Sequence, residues 1–542
     1  MSQTTVGMLL PLFVAVPLLA GGVLAALGRL RRVQAWVVAF VVGASTLGGA
    51  ALIAATADGS AYGAGVGPWP DGVAIPFVAD MATALMLTLT SGLTAVTAIF
   101  AYGSRVANSQ FFAPFLLVLV GGVNGALLTA DLFNLFVFIE VMLLPSYGLF
   151  VLSANRREPL RRVDGARLYV TLNLLTSTIL VAGIGFVYGV TGTVNLAVLA
   201  GAAAEDDRAA LAAALILFAL SIKASVVPMH GWLAKAYPAT SPAVTALFAA
   251  LHTKVALYAI FRVYSVVYDG DPRFLWVLAT LACLTLVIGA LASIGARGAR
   301  EVLAWQMVSG IGGILLGLAL FGHLGLSAGL FYMIHHMVAM ACLLAAVGAI
   351  EVRYGVGGLK DVRGLARREP LIAVTFFIGL LSLAGIPPFS GFVGKLAMVL
   401  AGVAQGSPVA VTVFVTVSLL SLWALLRLWH AWFWGEPRPP ANYHERLKTN
   451  AMPVMFEEHP TGTGSSTPTE NWAPTGVMPV VTAEDEPVTR SRIPFSLALP
   501  AVITAVATTA LGLGGEALLA ATGVAADGLL DVTTYVEAVM GG

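Results

Sequence analysis

Residues 215–235 read LILFALSIKASVVPMHGWLAK, and residues 381–400 read LSLAGIPPFSGFVGKLAMVL. Each is an apolar run that is interrupted in its middle and carries a lysine beside the interruption. Pro228 follows Lys223 by five residues, and Gly385, Pro387, Pro388 and Gly391 precede Lys395. Proline removes a backbone donor and clashes with the preceding turn, so a helix breaks there. Backbone freed at membrane depth is tolerated only where it is buried in protein or lines a cavity. A lysine at the bilayer centre costs about 2.5–3.5 kcal/mol on insertion scales. Both stretches therefore predict broken helices inside a large helical bundle with a polar interior. Paired broken helices in corresponding halves point to a transporter built of inverted repeats.

Composition points the same way. The 542 residues are 58% apolar and 11% charged, with a mean hydropathy of +0.89. A soluble domain runs near a quarter charged. This balance excludes a soluble enzyme, a nucleic-acid binder and a disordered scaffold, and leaves a polytopic membrane protein. With 29 basic and 28 acidic residues, no net charge draws the chain to polyanions. Cys283 and Cys342 lie in separate apolar runs and read as small hydrophobes, not as a disulfide framework or metal cluster. The first apolar run, 6–27, has no basic region before it and reads as a retained helix.

A spanning helix needs about 20 mostly apolar residues. Such runs fall at 6–27, 35–56, 77–101, 111–129, 131–153, 165–187, 209–229, 241–266, 274–294, 303–321, 327–350, 371–400, 407–434 and 495–520. Period-two alternation, the mark of membrane strands, is absent from them. With the N-terminus outside, 22 of the 29 Lys and Arg fall in cytoplasmic connections. Arg208 and Arg273 fall opposite, and five lie inside spans. One missed helix would flip every later loop, so this asymmetry supports fourteen helices with both termini outside. The expected fold is an all-α polytopic membrane protein. Its parts are helices one to three at 1–101, a first repeat of helices four to eight at 111–266, and an inverted repeat of helices nine to thirteen at 274–434. Five helices per repeat is an odd number, which supplies the inversion. A Pro-, Thr-, Glu- and Gly-rich segment at 435–491 reads as a disordered cytoplasmic linker. Helix fourteen and a tail occupy 495–542. In the tail, 527–539 shows the spacing of a short interfacial helix.

Charges inside the spans are the informative positions. Arg262 and Arg427 lie near helix ends, where both can snorkel to headgroups. Asp80 starts helix three and Asp131 sits in the turn between helices four and five. Glu140, Lys223, Lys254, His335, His336 and Lys395 lie deeper. One Glu–Lys pair could serve only to tie helices together. One carboxylate, three lysines and two histidines cannot all be neutralised in pairs, and a hydrated polar track relieves their cost.

The carrying segments are DLFNLFVFIEVMLLPSYGL, IKASVVPMHGWLAKAYPATSPAVTALFAALHTKVALYAIFR and GLARREPLIAVTFFIGLLSLAGIPPFSGFVGK. They resemble the antiporter-like subunits shared by Mrp-type sodium/proton antiporters and respiratory complex I, from helix three to helix fourteen. Within that family the chain is most similar to the D-type subunit of the Mrp antiporter. Its length leaves no room for the long extension of the A-type Mrp subunit, and Lys395 stands where the M-type complex I subunit has a glutamate. The resemblance implies a proton-translocating subunit of a monovalent cation (Na+)/H+ antiporter, with other Mrp subunits as partners and a bacterial cell membrane as its place. It implies no cofactor and no metal. By motif match, Glu140, Lys223, Lys254, Lys395 and the pair His335/His336 form its protonatable chain. Met340 departs from the lysine that relatives carry after the histidine pair.

Such a chain would work by switching. A carboxylate near a buried lysine holds it charged, and separation leaves a desolvated cation ready to pass its proton on. Glu140 and Lys223 would form that switch, Lys254 would hand on to the histidines, and Lys395 would face the exit. The second class is a proton-pumping subunit of a complex I-like redox complex, in which electrons drive the same track. The third is a membrane scaffold, which the series of buried charges disfavours. The chain carries no CxxC pair, flavin fingerprint or haem motif, so it reads as a transporter and not an enzyme. It offers few intramembrane carboxylates to ligate sodium, so sodium is expected to cross through a partner subunit.

Overall fold

Each apolar run becomes helix because, without water to bond to, the backbone satisfies its own N–H and C=O groups. The computed structural model describes residues 3–28, 30–66, 75–152, 159–436 and 492–540. The linker expected at 435–491 lies outside them, apart from Gly435 and Glu436. In order, the helices are α1 (Gln3–Leu9), α2 (Leu12–Leu27), α3 (Arg31–Ala55), α4 (Met81–Gly103), α5 (Phe112–Leu128), α6 (Leu132–Leu152), α7 (Pro159–Thr191), α8 (Ala202–Glu205), α9 (Asp207–Ala224), α10 (Gly231–Ala236) and α11 (Pro242–Val267). Then come α12 (Leu275–Gly295), α13 (Ala299–Ala319), α14 (His323–Tyr354), α15 (Leu365–Arg368), α16 (Pro370–Ala384), α17 (Ser390–Ala404), α18 (Pro408–Trp432), α19 (Phe495–Leu513), α20 (Gly515–Leu530) and α21 (Thr533–Met540). Among the described residues, 11 helices are long and apolar enough to cross a membrane, or 12 if α20 and α21, bent by 71°, count as one span. The chain is thus an all-helical polytopic membrane protein in its bulk.

Both predicted breaks are present. The first falls after α9, where Ser225 takes a left-handed conformation with φ +69°, and α10 resumes at Gly231. The second falls after α16, where Gly385 has φ +88° and α17 resumes at Ser390.

The helices differ in what surrounds them. In α11 and α14 every residue of the most apolar stretch is buried, and in α13 nearly all are. In α2, α3 and α12 only about a third is buried. The axial helix is α14, which packs against α11, α13, α16, α17, α19 and α20. Small residues allow this. Gly317 of α13 and Gly329 of α14 face each other with backbone against backbone, the close approach that small residues permit between membrane helices.

Three expectations are corrected. Residues 77–79, assigned to helix three, belong to strand β2 (Ile75–Ala79), which pairs antiparallel with β1 (Tyr62–Val66). The bulk is helical, but the chain is not wholly α. Asp80 stops the strand and caps α4 by accepting from the Thr83 N–H. Helix fourteen does not end at 520, because α20 continues alongside α14 to Leu530, with Thr522 bonded to Ser327 at 3.0 Å. The tail helix is α21, starting at Thr533, and it packs on the β-hairpin.

Candidate functional site

Of the six residues singled out in the sequence, five sit on or against the enclosed helices, and Glu140 lies on a helix that packs against α5 and α7. Glu140 is on α6, Lys223 ends α9, Lys254 is central in α11, His335 and His336 are central in α14, and Lys395 is on α17. Lys223, Lys254, His335 and His336 are buried, while Glu140 and Lys395 are half-buried.

Glu140 and Lys223 do not form the direct pair expected of them. The Glu140 carboxylate accepts from the Ser177 hydroxyl, and the Lys223 ammonium donates to Asn173 Oδ1 at 3.2 Å. Asn173 and Ser177 are one turn apart on α7, so one face of that helix holds both charges and keeps them from closing. Asn173 is fixed by its own amide, which donates to the Tyr169 carbonyl at 2.7 Å.

Tyr169 leads to a residue that the sequence reading passed over. Its hydroxyl lies 2.8 Å from His252 Nδ1 and 3.0 Å from Ser146 Oγ. His252 is buried on α11 two residues before Lys254, stacks on Phe248 at 4.5 Å, and leaves Nε2 without a partner. It stood inside the quoted motif ALHTKV, and a histidine that near a buried lysine was the available signal.

Lys254 donates to Thr253 Oγ1 at 3.1 Å. His336 fits against Gly310 of α13, where no side chain stands in its way. His335 Nδ1 meets Ser390 Oγ at 2.8 Å. Lys395 donates at 2.9 Å to the carbonyl of Ala384, the last residue before the second break. A broken helix thus leaves a carbonyl that a lysine occupies. Beside it lies a cavity of about 10 Å³, room for about one water, lined by Gln306, Ser309, Gly310, Tyr332, Lys395 and Ser421 among others. Met340 is buried on α14.

Among the described residues, none of the three lysines is ion-paired. An unpaired buried ammonium is expensive. Each amine is instead held by a neutral oxygen, from Asn173, Thr253 or Ala384, and none of these partners requires it to stay charged.

One arginine behaves otherwise than expected. Arg262 does not snorkel. It is buried and pairs with Asp80 at 2.7 Å, with Tyr258 and Thr83 bonded into the same cluster and the Tyr535 ring over its guanidinium at 4.5 Å. The apolar mass of α4, α11 and α21 covers it, so a carboxylate reaches it where a headgroup cannot. Arg427 donates to the carbonyls of Ser293 and Ala296 at the end of α12, at 3.2 and 2.6 Å, which meets acceptors the helix end leaves free.

Comparison with known proteins sets this geometry in context. Residues 129–421 match the family model described as NADH:quinone oxidoreductase/Mrp antiporter, TM. The chain is 35% identical over 382 residues to the D subunit of the Na(+)/H(+) antiporter of Alkalihalophilus pseudofirmus, covering 69% of this chain and 76% of that one. It is 33% identical over 401 residues to the protein of the same name in Bacillus subtilis, covering 72% and 80%. A chain in the structure of the Mrp complex from Dietzia sp. superposes with a TM-score of 0.90 and 49% identity, over 99% of this chain and 100% of that one.

Proposed function

The chain belongs to the NADH:quinone oxidoreductase/Mrp antiporter transmembrane family, and from that premise we propose that it is the proton-translocating subunit of a multi-subunit Na+/H+ antiporter. The observation that carries this is the set of three lysines inside the bundle, two buried and one half-buried, bonded among the described residues only to neutral oxygens. Protons enter the series at Glu140 and Lys223, pass Lys254, reach His336 and His335, and leave by way of Lys395. Ser177 and Asn173 of α7 set the distance between Glu140 and Lys223. Release from Lys223 follows when its carboxylate is held away, since burial favours the neutral amine. Sodium crosses in a partner Mrp protein.

This function rests on a fourteen-span topology with both termini outside. The 11 long spans are supplemented by three others. One is α5, at 17 residues. The other two are the broken pairs α9/α10 and α16/α17. The breaks support two inverted repeats of five spans. Ala224-Ser225-Val226-Val227-Pro228 aligns with Ala384-Gly385-Ile386-Pro387-Pro388, Gly231 with Gly391, and Lys235 with Lys395.

The test is exchange in everted membrane vesicles holding the assembled complex. Proton movement that requires the cation, and that Lys254→Ala abolishes at equal assembly, supports the reading. Wild-type exchange by that variant overturns it. A purified assembly whose other subunits are quinone-reductase components would move the chain to the redox class.

A further inference from the structure

The polar groups around His335 extend beyond the five-helix repeats. Ser390 opens α17, Ser382 lies two residues before the end of α16, and Thr508 comes from α19, a helix that belongs to neither repeat. Their hydroxyls form a ring. Ser390 Oγ is 2.9 Å from Thr508 Oγ1, Thr508 Oγ1 is 2.7 Å from Ser382 Oγ, and Ser382 Oγ is 3.4 Å from Ser390 Oγ. His335 Nδ1 joins it through Ser390 at 2.8 Å. All four side chains are wholly enclosed, and the far nitrogen of His335, Nε2, has no partner.

The helix is held against the break. Gly512, one turn beyond Thr508, lies directly on the backbone of Pro388, Phe389 and Ser390, where a larger residue would not fit. This contact aims the Thr508 hydroxyl at the gap between α16 and α17. Two residues past Ser382, the Ala384 carbonyl holds the Lys395 amine.

We propose that Thr508 is a relay residue, and that helix α19 thereby supplies the hydroxyl that connects His335 to the Lys395 break. This rests on the proton-translocating reading above and names a group that the family motifs do not contain. A hydroxyl accepts one proton on a lone pair while giving up its own, so it carries a proton without holding a net charge. A proton taken up at His335 Nε2 releases the Nδ1 proton to Ser390. Ser390 passes its own to Thr508 and Thr508 to Ser382, and the neutral Lys395 amine, turning from the Ala384 carbonyl two residues along, is the final acceptor. Each hydroxyl keeps one proton and is reset by rotation about its C–O bond, and His335, left as its Nε2–H tautomer, returns to the Nδ1–H form by tautomer exchange before the next proton arrives. A charged residue in this place would trap the proton; three neutral hydroxyls do not.

The experiment compares Thr508→Val, Thr508→Ala and Thr508→Ser in the full complex, in vesicles, normalised to assembled protein. Valine keeps the shape and removes the hydroxyl. We expect its maximal exchange rate to fall roughly a hundredfold, the low end of proton-transfer effects. The cation concentration at half-saturation stays unchanged, and Thr508→Ser restores the rate to within about twofold of wild type. Wild-type exchange by Thr508→Val overturns the relay. Failure of both Thr508→Val and Thr508→Ala to assemble also overturns it, because the ring is then a structural tie. Lys254→Ala and Lys395→Ala are measured alongside. If they too exchange at the wild-type rate, the proton-translocating reading itself fails. If they are dead while Thr508→Val is active, only the role of Thr508 is lost.

Discussion

At the scale of single residues, the site is a set of amines without counter-ions. Among the described residues the Lys254 and Lys395 amines donate only to Thr253 and the Ala384 carbonyl, so replacing either breaks no ion pair that holds the fold together. Lys254→Ala and Lys395→Ala are expected to insert and assemble at wild-type levels and to lose exchange, checked by transport per assembled complex. Glu140 and Lys223 allow a sharper test because α7 keeps them apart. Glu140→Gln removes the only acidic group of the site, favours the neutral Lys223 amine, and should collapse exchange near neutral pH. Transport followed from about pH 6 to about pH 9 should show recovery at the acid end, where protonation of the amine is restored. Lys223→Arg is expected to fail throughout, because a guanidinium does not release its proton in a protein. An active Lys223→Arg variant would remove Lys223 from the relay.

At the scale of elements, two contacts decide how the helices lock. The Asp80–Arg262 pair joins the start of α4 to α11, and Tyr535 brings α21 onto the same charge. Removing one partner of a buried pair leaves the other uncompensated, at a cost of about 3–5 kcal/mol. Asp80→Asn should therefore lower the temperature at which the detergent-solubilised complex dissociates. The double variant Asp80→Asn with Arg262→Gln should recover part of that loss, and a double variant as labile as the single one would show that no pairing energy is involved. Gly310 decides the second contact. A Cβ there meets the His336 ring, so Gly310→Ala must displace the imidazole. It should slow exchange while α13 and α14 remain packed, as read by transport against thermal stability.

At the scale of the whole molecule, burial sorts the helices. Those that carry Lys254 and the histidines are enclosed, and those that surround them face outward. The connection 437–491 joins α18 to α19 and is predicted to lie in the cytoplasm. A cysteine placed at Ser465 should be labelled by a membrane-impermeant reagent in inside-out vesicles and not in intact cells, and labelling in intact cells would invert the topology.

Hydropathy alone made the helices legible, because a backbone in lipid has no alternative to bonding with itself. The breaks at Pro228 and at Pro387-Pro388 were legible for the same local reason, the missing donor. So were the six deep ionisable residues, since cost marks them wherever they lie in the apolar runs. The hairpin before α4 was not legible, because its five-residue strands are held by pairing and packing that no run of apolar residues announces. Nor were the partners of the site. Ser177, Asn173 and Thr508 are ordinary in sequence, and the residues they meet lie from 37 to 118 positions away. Which oxygen faces which nitrogen depends on how helices cross, and the packing of glycines against backbones, as at Gly317 and Gly512, sets those crossings. The chain's own chemistry therefore determined that charges would lie within the membrane, and only the tertiary structure decided that the lysines would rest on neutral oxygens while Arg262 found a carboxylate.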